Sequence, residues 1–147
     1  MRFISIEHYM GNDENSLRLC EAEIAEYNRY FDENVRNCLA KKFVVEYFKL
    51  HGFHDWIIQS IQNQTVGKNN TILIELYDNF KNQIKVLKYW EVKCFKCDFN
   101  ATHFEDICHD EYGIDEFCKI SDKLFTHEVY CPSGSNYYVE FQNISIE

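Results

Sequence analysis

Cys94 and Cys97 are separated by Phe95 and Lys96, the spacing at which two thiolates reach one zinc ion or close one redox disulfide. His103, Cys108, His109 and Cys118 follow closely enough in the chain to complete a tetrahedral set. Two features oppose that chemistry. The pair lies in an alternating, strand-like stretch, where side chains three positions apart point to opposite faces, and no glycine helps the chain turn around a metal. No helical pattern follows it, as a thioredoxin-like site requires. Buried structural thiols are the expectation, with no metal and no cofactor.

A second constellation is His51, His54 and Asp55, where an imidazole and a carboxylate could meet for acid–base work. The simpler expectation is a structural junction in which Asp55 accepts backbone N–H groups and His54 orients against it. A third is the His-bearing acidic stretch His103, Glu105, Asp106, His109, Asp110 and Glu111, a candidate cation loop that also reads as an ordinary solvated loop. The 5 glycines are too scattered to cradle a phosphate, and no Gly-x-Ser-x-Gly elbow, Walker loop or HExxH helix occurs. The expectation is a protein that is not an enzyme.

Phe3 to Tyr9 alternates apolar and polar residues ahead of Gly11 and predicts a first strand. Leu17, Cys20, Ile24, Tyr27 and Phe31 then recur at helical spacing, with Arg18, Glu21, Glu23 and Glu26 opposite and Glu14 one turn before Arg18. The stretch Asp32 to Lys49 stays helical, either kinked near Asp32 or continuous, and its broader apolar face predicts deeper burial. Beyond Gly52 the period changes to alternation. Strands are expected over Trp56–Gln64, Thr71–Tyr77 and Gln83–Phe99, the last as one bent strand or two, with Ile84, Val86, Trp90, Val92 and Cys94 on one side. Asn100 to Ser121 is irregular, and Leu124–Cys131 with Tyr137–Ile146 makes a closing hairpin. The predicted fold is α+β: an N-terminal strand and one or two amphipathic helices on a mainly antiparallel meander sheet of about five to six strands, as a single domain over 1–147.

The 147 residues are 46% hydrophobic, with 12 Phe and 10 Tyr, enough apolar area for one core. No stretch suits a membrane span and no secretion signal opens the chain, so a cytoplasmic protein without membrane association is expected. Seven cysteines, an odd number spread through helical and strand-like segments, read as reduced thiols. A net charge of −9 opposes binding to nucleic acid and favours a basic partner. Pairing of two copies through an exposed strand edge stays open.

Leu50-His51-Gly52-Phe53-His54-Asp55-Trp56-Ile57-Ile58-Gln59-Ser60-Ile61 resembles a passage of a group of uncharacterised small bacterial domains, in which a helix is followed by (L/F)HD, a small residue and x-I-x-x-I. Trp56 stands where the small residue is expected. The hairpin Thr71 to Trp90, the F-x-H-E-V of Phe125 to Val129 and the V-E-F-x-N-I-x-I of Val139 to Ile146 extend the likeness to about two thirds of the chain. The resemblance implies a small α+β protein of the toxin-immunity type, such as those acting in contact-dependent inhibition. Its expected function is therefore to neutralise a bacterial toxin through an acidic surface. The candidate contacts are Glu21, Glu23, Glu26, Asp106, Asp110, Glu111, Asp115 and Glu116. The alternatives are a zinc protein using Cys94, Cys97, His103 and Cys108, or a small-ligand module near His54.

Overall fold

The computed structural model describes residues 1–98 and 110–147. Its helices are α1 (Ile6–Met10), α2 (Glu14–Asn34) and α3 (Lys41–Lys49), followed by a 3-10 turn at His51–Phe53. The strands are β1 (Ile57–Val66), β2 (Asn69–Asp78), β3 (Gln83–Trp90), β4 (Cys94–Asp98), β5 (Asp110–Glu111), β6 (Ile114–Ser121), β7 (Leu124–Tyr130), β8 (Asn136–Phe141) and β9 (Asn143–Ile146). The fold class is α+β. Among the described residues the strands form two antiparallel sheets, ordered β5-β1-β2-β3-β9 and β4-β8-β7-β6, in place of the single predicted meander.

The second sheet arises because long strands change partners at a bend. β3 passes into β4 through Glu91, whose φ of 54° turns the chain, and β8 passes into β9 at Gln142. At this corner Lys93 N–H donates to Glu140 O (2.8 Å) and Gln142 N–H to Trp90 O (3.2 Å), so the ladder continues around it. At the opposite corner β5 runs into β6 through Tyr112, whose N–H donates to Trp56 O at 2.7 Å. The pairings therefore return on themselves, and closure between β5 and β1 is confined to Ile57↔Glu111 and Ile58↔Asp110. Strands that switch sheets at bends are the usual corners of orthogonally packed sheets.

The N-terminal strand does not form. Instead of a sheet partner, the Glu116 carboxylate accepts the N–H groups of Arg2 (2.7 Å), Phe3 (3.0 Å) and Ile4 (2.6 Å). Glu23 takes Ser5 N–H at 2.9 Å, and the chain then enters α1. The alternation over Phe3–Tyr9 reflects contacts of single side chains, with Ile4 buried and the Phe3 ring tilted at 36° against that of Tyr30, 4.7 Å between centroids, rather than a pleated face.

The long helix is interrupted. α2 ends at Asn34, Val35 and Leu39 turn into the core, and α3 restarts at Lys41. α2 buries only Cys20, Tyr27 and Phe31 of 21 residues, whereas α3 buries Phe43, Val44 and Tyr47 of 9, in the expected order. Glu14 does not meet Arg18, which instead donates to Asn15 Oδ1 at 3.2 Å. α2 also protects the edge of the second sheet. The hydroxyls of Tyr27 and Tyr30 accept the β6 N–H groups of Phe117 (2.6 Å) and Lys119 (3.1 Å), which removes an exposed row of donors. On β3 the parity runs opposite to expectation, since Leu87 and Tyr89 are buried while Ile84 is 55% exposed.

Candidate functional site

Three groupings carry the chain's chemistry, and the sequence singled out two of them. The deepest lies where β6 and β7 face α3 inside the sheets. Residues of one parity, Asp115 and Phe117 on β6 and Phe125, His127 and Val129 on β7, point inward. His127 is wholly buried, with Phe117 stacked flat on its ring at 3.8 Å between centroids. Its Nε2 lies 2.7 Å from Asp115 Oδ2 and its Nδ1 2.6 Å from the Tyr89 hydroxyl.

Asp115 gathers more than the imidazole. The Tyr47 hydroxyl sits 2.7 Å and 2.9 Å from its two oxygens, and the Tyr112 hydroxyl donates to Oδ2 at 2.7 Å. An ionised carboxylate can only accept, so Nε2 carries the ring proton in this arrangement and Nδ1 is left to the Tyr89 hydroxyl. Burial pushes the hydroxyls of Tyr47, Tyr89, Tyr112 and Tyr137 well above the ordinary phenol range, and the Asp115 charge adds to the rise. The grouping resembles an acid–base site in its residue types but not in its access. Both ring nitrogens are engaged and no face of His127 reaches solvent, so no proton can pass to a bound substrate without opening the core. It is a polar tie-rod between α3, β3 and the second sheet.

The second grouping is the junction. His51, Gly52 and Phe53 have φ of 54°, 65° and 61°, and Asp55 has 67°, so the chain leaves α3 through a left-handed turn. Glycine is needed at 52, because a Cβ there would meet the Tyr47 hydroxyl at 2.9 Å. Phe53 is fully buried against Trp56 (5.2 Å), and this packing holds the turn in its costly conformation. His54 Nδ1 pairs with Asp55 Oδ1 at 2.7 Å, both half exposed, beside a cleft of about 150 Å³ that also meets His51, Phe80 and Lys81. Asp55 N–H donates to Tyr112 O at 3.1 Å, which joins the junction to the β5–β6 corner.

The third grouping is acidic. Glu21 and Glu26 are exposed on α2, and Glu23 is half buried, spent on Ser5 N–H and on His8 Nδ1 at 2.7 Å. Glu111 is exposed on β5, and Asp110 is placed beside it by its backbone. Two expected contacts belong elsewhere. Asp115 is buried in the tie-rod and Glu116 is 2% exposed beneath the N-terminal segment, so neither belongs to an outer acidic surface. Each is held inside because several hydrogen bonds to its carboxylate replace those of water. Asp106, His103, Cys108 and His109 lie outside the described residues. Cys94 and Cys97 sit on β4 as partly buried thiols, and among the described residues no three His, Cys, Asp or Glu side chains converge as metal ligands.

Tyr47, Tyr89, Tyr112 and His127 escaped notice as a site. The legible signal was parity: in Phe125-Thr126-His127-Glu128-Val129 the imidazole shares its face with two large apolar residues. No protein-family model and no curated protein matches the chain. No helix among the described residues is long and apolar enough to cross a membrane.

Proposed function

We propose that this chain is a non-enzymatic protein-binding domain, an immunity protein that neutralises a bacterial toxin by covering a basic surface with its own acidic one. The observation that carries the reading is the outer side of α2. Glu14, Glu21, Glu26 and Glu33 are exposed there with no ion-pair partner among the described residues, against only Arg18 and Arg29 in the same helix. Unpaired carboxylates on a rigid helix steer a cationic protein into contact and repel an anionic competitor for the same surface, as a toxin that acts on nucleic acid requires. The enclosed state of the His127–Asp115 grouping supports a role without catalysis. The resemblance around His54 and Asp55 supports the immunity role.

The test is a pull-down with tag-free protein against a lysate of its source, read by mass spectrometry at low and moderate salt. A basic protein should be retained by the wild type, weakened by salt and lost with the double variant Glu21→Lys/Glu26→Lys. Retention indifferent to salt and to charge reversal would refute the electrostatic reading, and no retained protein would remove its support.

A further inference from the structure

β9 ends the first sheet with an open backbone edge. The N–H and C=O of Val86 both bond Glu147 at 2.9 Å, so in the register with β3 the next hydrogen-bonded pair is Lys88↔Ser145. Ile144 and Ile146 alternate with these pairs. Their N–H and C=O groups therefore point away from β3, to a side where no strand pairs among the described residues. Both side chains are buried, at 3% and 9%, which holds the edge in place. Edges are ordinarily blunted by Lys, Pro or a bulge, and Asn143–Ile146 has none of them.

Across a cavity of about 230 Å³ this edge faces the start of α3, and Phe43 with the two isoleucines supplies the apolar lining. α3 opens without a cap. Ala40 at its N-cap makes no side-chain bond, whereas Asp13 caps α2 by accepting Ser16 N–H. The amides of Lys41, Lys42 and Phe43, first in the helix, have no partner among the described residues. Lys42 also lines the cavity, and neither it nor Lys41 has an ion partner among the described residues. The Glu147 carboxylate, at the rim, is paired with Lys88 at 3.2 Å. Ser145 Oγ, also on the lining, is closed off from solvent and bonds nothing among the described residues. One wall thus offers donors and positive charge to a carboxylate, and the other offers a strand's backbone groups to a second strand.

A second copy of this chain fits the groove poorly. Its 79–82 turn could set Phe80 on the apolar lining, but a turn closed on Asp78 has no extended backbone to offer and brings Lys81 to Lys42. Two β9 edges paired together would crowd both copies' Lys42 and α3 N-termini around one groove. We infer that an extended segment of a protein partner adds to β9 as a further strand, with an acidic residue of that segment set against Lys42 and the first turn of α3. The groove is formed before the segment arrives, so the cost of ordering falls on the segment alone. The inference rests on the protein-binding reading above but uses a surface remote in charge from the acidic side of α2.

The probe is a phage-displayed library of random peptides about ten residues long, selected on the whole protein, and the most enriched peptide is then titrated into isotope-labelled protein. That peptide should carry an acidic residue among β-branched ones and should shift the amides of Ile144, Ile146, Lys41, Lys42 and Phe43. Lys42→Glu should weaken it by at least about ten-fold, and N-methylation of its alternate amides should abolish binding. Ala40→Asp is the decisive variant. It gives α3 its own cap, so it should raise the melting temperature while weakening the peptide, a combination that damage to the fold does not produce. Glu21→Lys/Glu26→Lys should leave the peptide's affinity unchanged. No enrichment over the unselected library overturns the inference, as do shifts elsewhere on the surface or indifference to Ala40→Asp. Equal shifts of the same amides by inorganic phosphate would reduce the groove to an anion site and overturn the strand. Self-association in sedimentation that Ala40→Asp abolishes would assign the groove to a second copy and overturn the partner. Peptide binding as described, with no basic protein retained in the pull-down, keeps this inference and refutes the acidic-surface reading, and the converse pattern does the opposite.

Discussion

His127 Nε2 lies 2.7 Å from Asp115 Oδ2 in the middle of the fold, and the tyrosines of three separate elements close around the pair. Asp115 accepts from Tyr47 of α3, from Tyr112 at the β5–β6 corner and from His127 of β7, so one carboxylate holds donors that are far apart in the chain. Asp115→Ala leaves those donors buried without an acceptor. The expected loss is about 3–5 kcal/mol, the cost of breaking a buried pair by removing one partner. Urea denaturation measures it, and a loss below about 1 kcal/mol would show that water replaces the carboxylate.

Tyr47 and Gly52 should be energetically coupled. Gly52→Ala places a Cβ 2.9 Å from the Tyr47 hydroxyl and imposes a left-handed φ of 65° on an alanine. The conformation alone costs about 1–2 kcal/mol, and the clash adds to it. Tyr47→Phe removes the nearest clashing atom along with a hydrogen bond to a charged group, worth about 1.5–3 kcal/mol. In a double-mutant cycle the Gly52→Ala penalty should shrink by at least about 0.5 kcal/mol in the Tyr47→Phe background. Strict additivity would mean that the turn yields rather than the ring.

Alkaline pH should unfold the protein together with its tyrosines. Burial raises the hydroxyls of Tyr27, Tyr47, Tyr89, Tyr112 and Tyr137 well above the ordinary phenol value of 10.0. A group whose folded pKa is raised contributes stability that is complete below its unfolded pKa and is lost as pH rises through the folded value. Stability should therefore hold up to about pH 10 and fall steeply above it. Tyrosinate absorbance should rise in two stages, the exposed rings first and the buried set only with loss of near-UV dichroism. A single smooth titration of all the tyrosines in folded protein would show that the interior admits water.

How much of this was legible follows from what each segment answers to. The α2 periodicity and the β1–β2 alternation are local patterns, and they survive because one face of each element meets a continuous core. Phe3–Tyr9 misled because a short alternation does not say whether a ladder partner exists, and Glu116, more than a hundred positions later in the chain, takes that role. The length of Gln83–Phe99 announced a bent or divided strand, which β3 and β4 are, but the bends at Glu91 and Gln142 carry no Gly or Pro, so nothing local announced that the two halves pair in different sheets. Asp115 and His127 were readable by parity, yet their meeting depends on the β6–β7 register, Phe117↔His127, which spacing alone does not fix.

The N-terminal segment should be releasable without loss of the barrel-like core. Glu116 Oε2 accepts Arg2 N–H while Oε1 accepts Phe3 and Ile4 N–H, so both oxygens are used by three amides. Glu116→Gln turns one of those acceptors into a donor facing an N–H, and the amide group cannot satisfy all three whichever way it is turned. The remaining anchors are the Met1 ammonium paired with Glu128 at 2.8 Å, the Ile4 side chain, Phe3 against Tyr27 and Tyr30, and Glu23 on Ser5. Opening should therefore be local. Hydrogen exchange at residues 2–4 should accelerate by about ten-fold or more, corresponding to about 1.4 kcal/mol, while amides of β2 and β7 exchange as in the wild type. Exchange that quickens equally in β7 would instead mean that the segment and the second sheet open as one unit, since Glu116 lies on the strand paired directly with it.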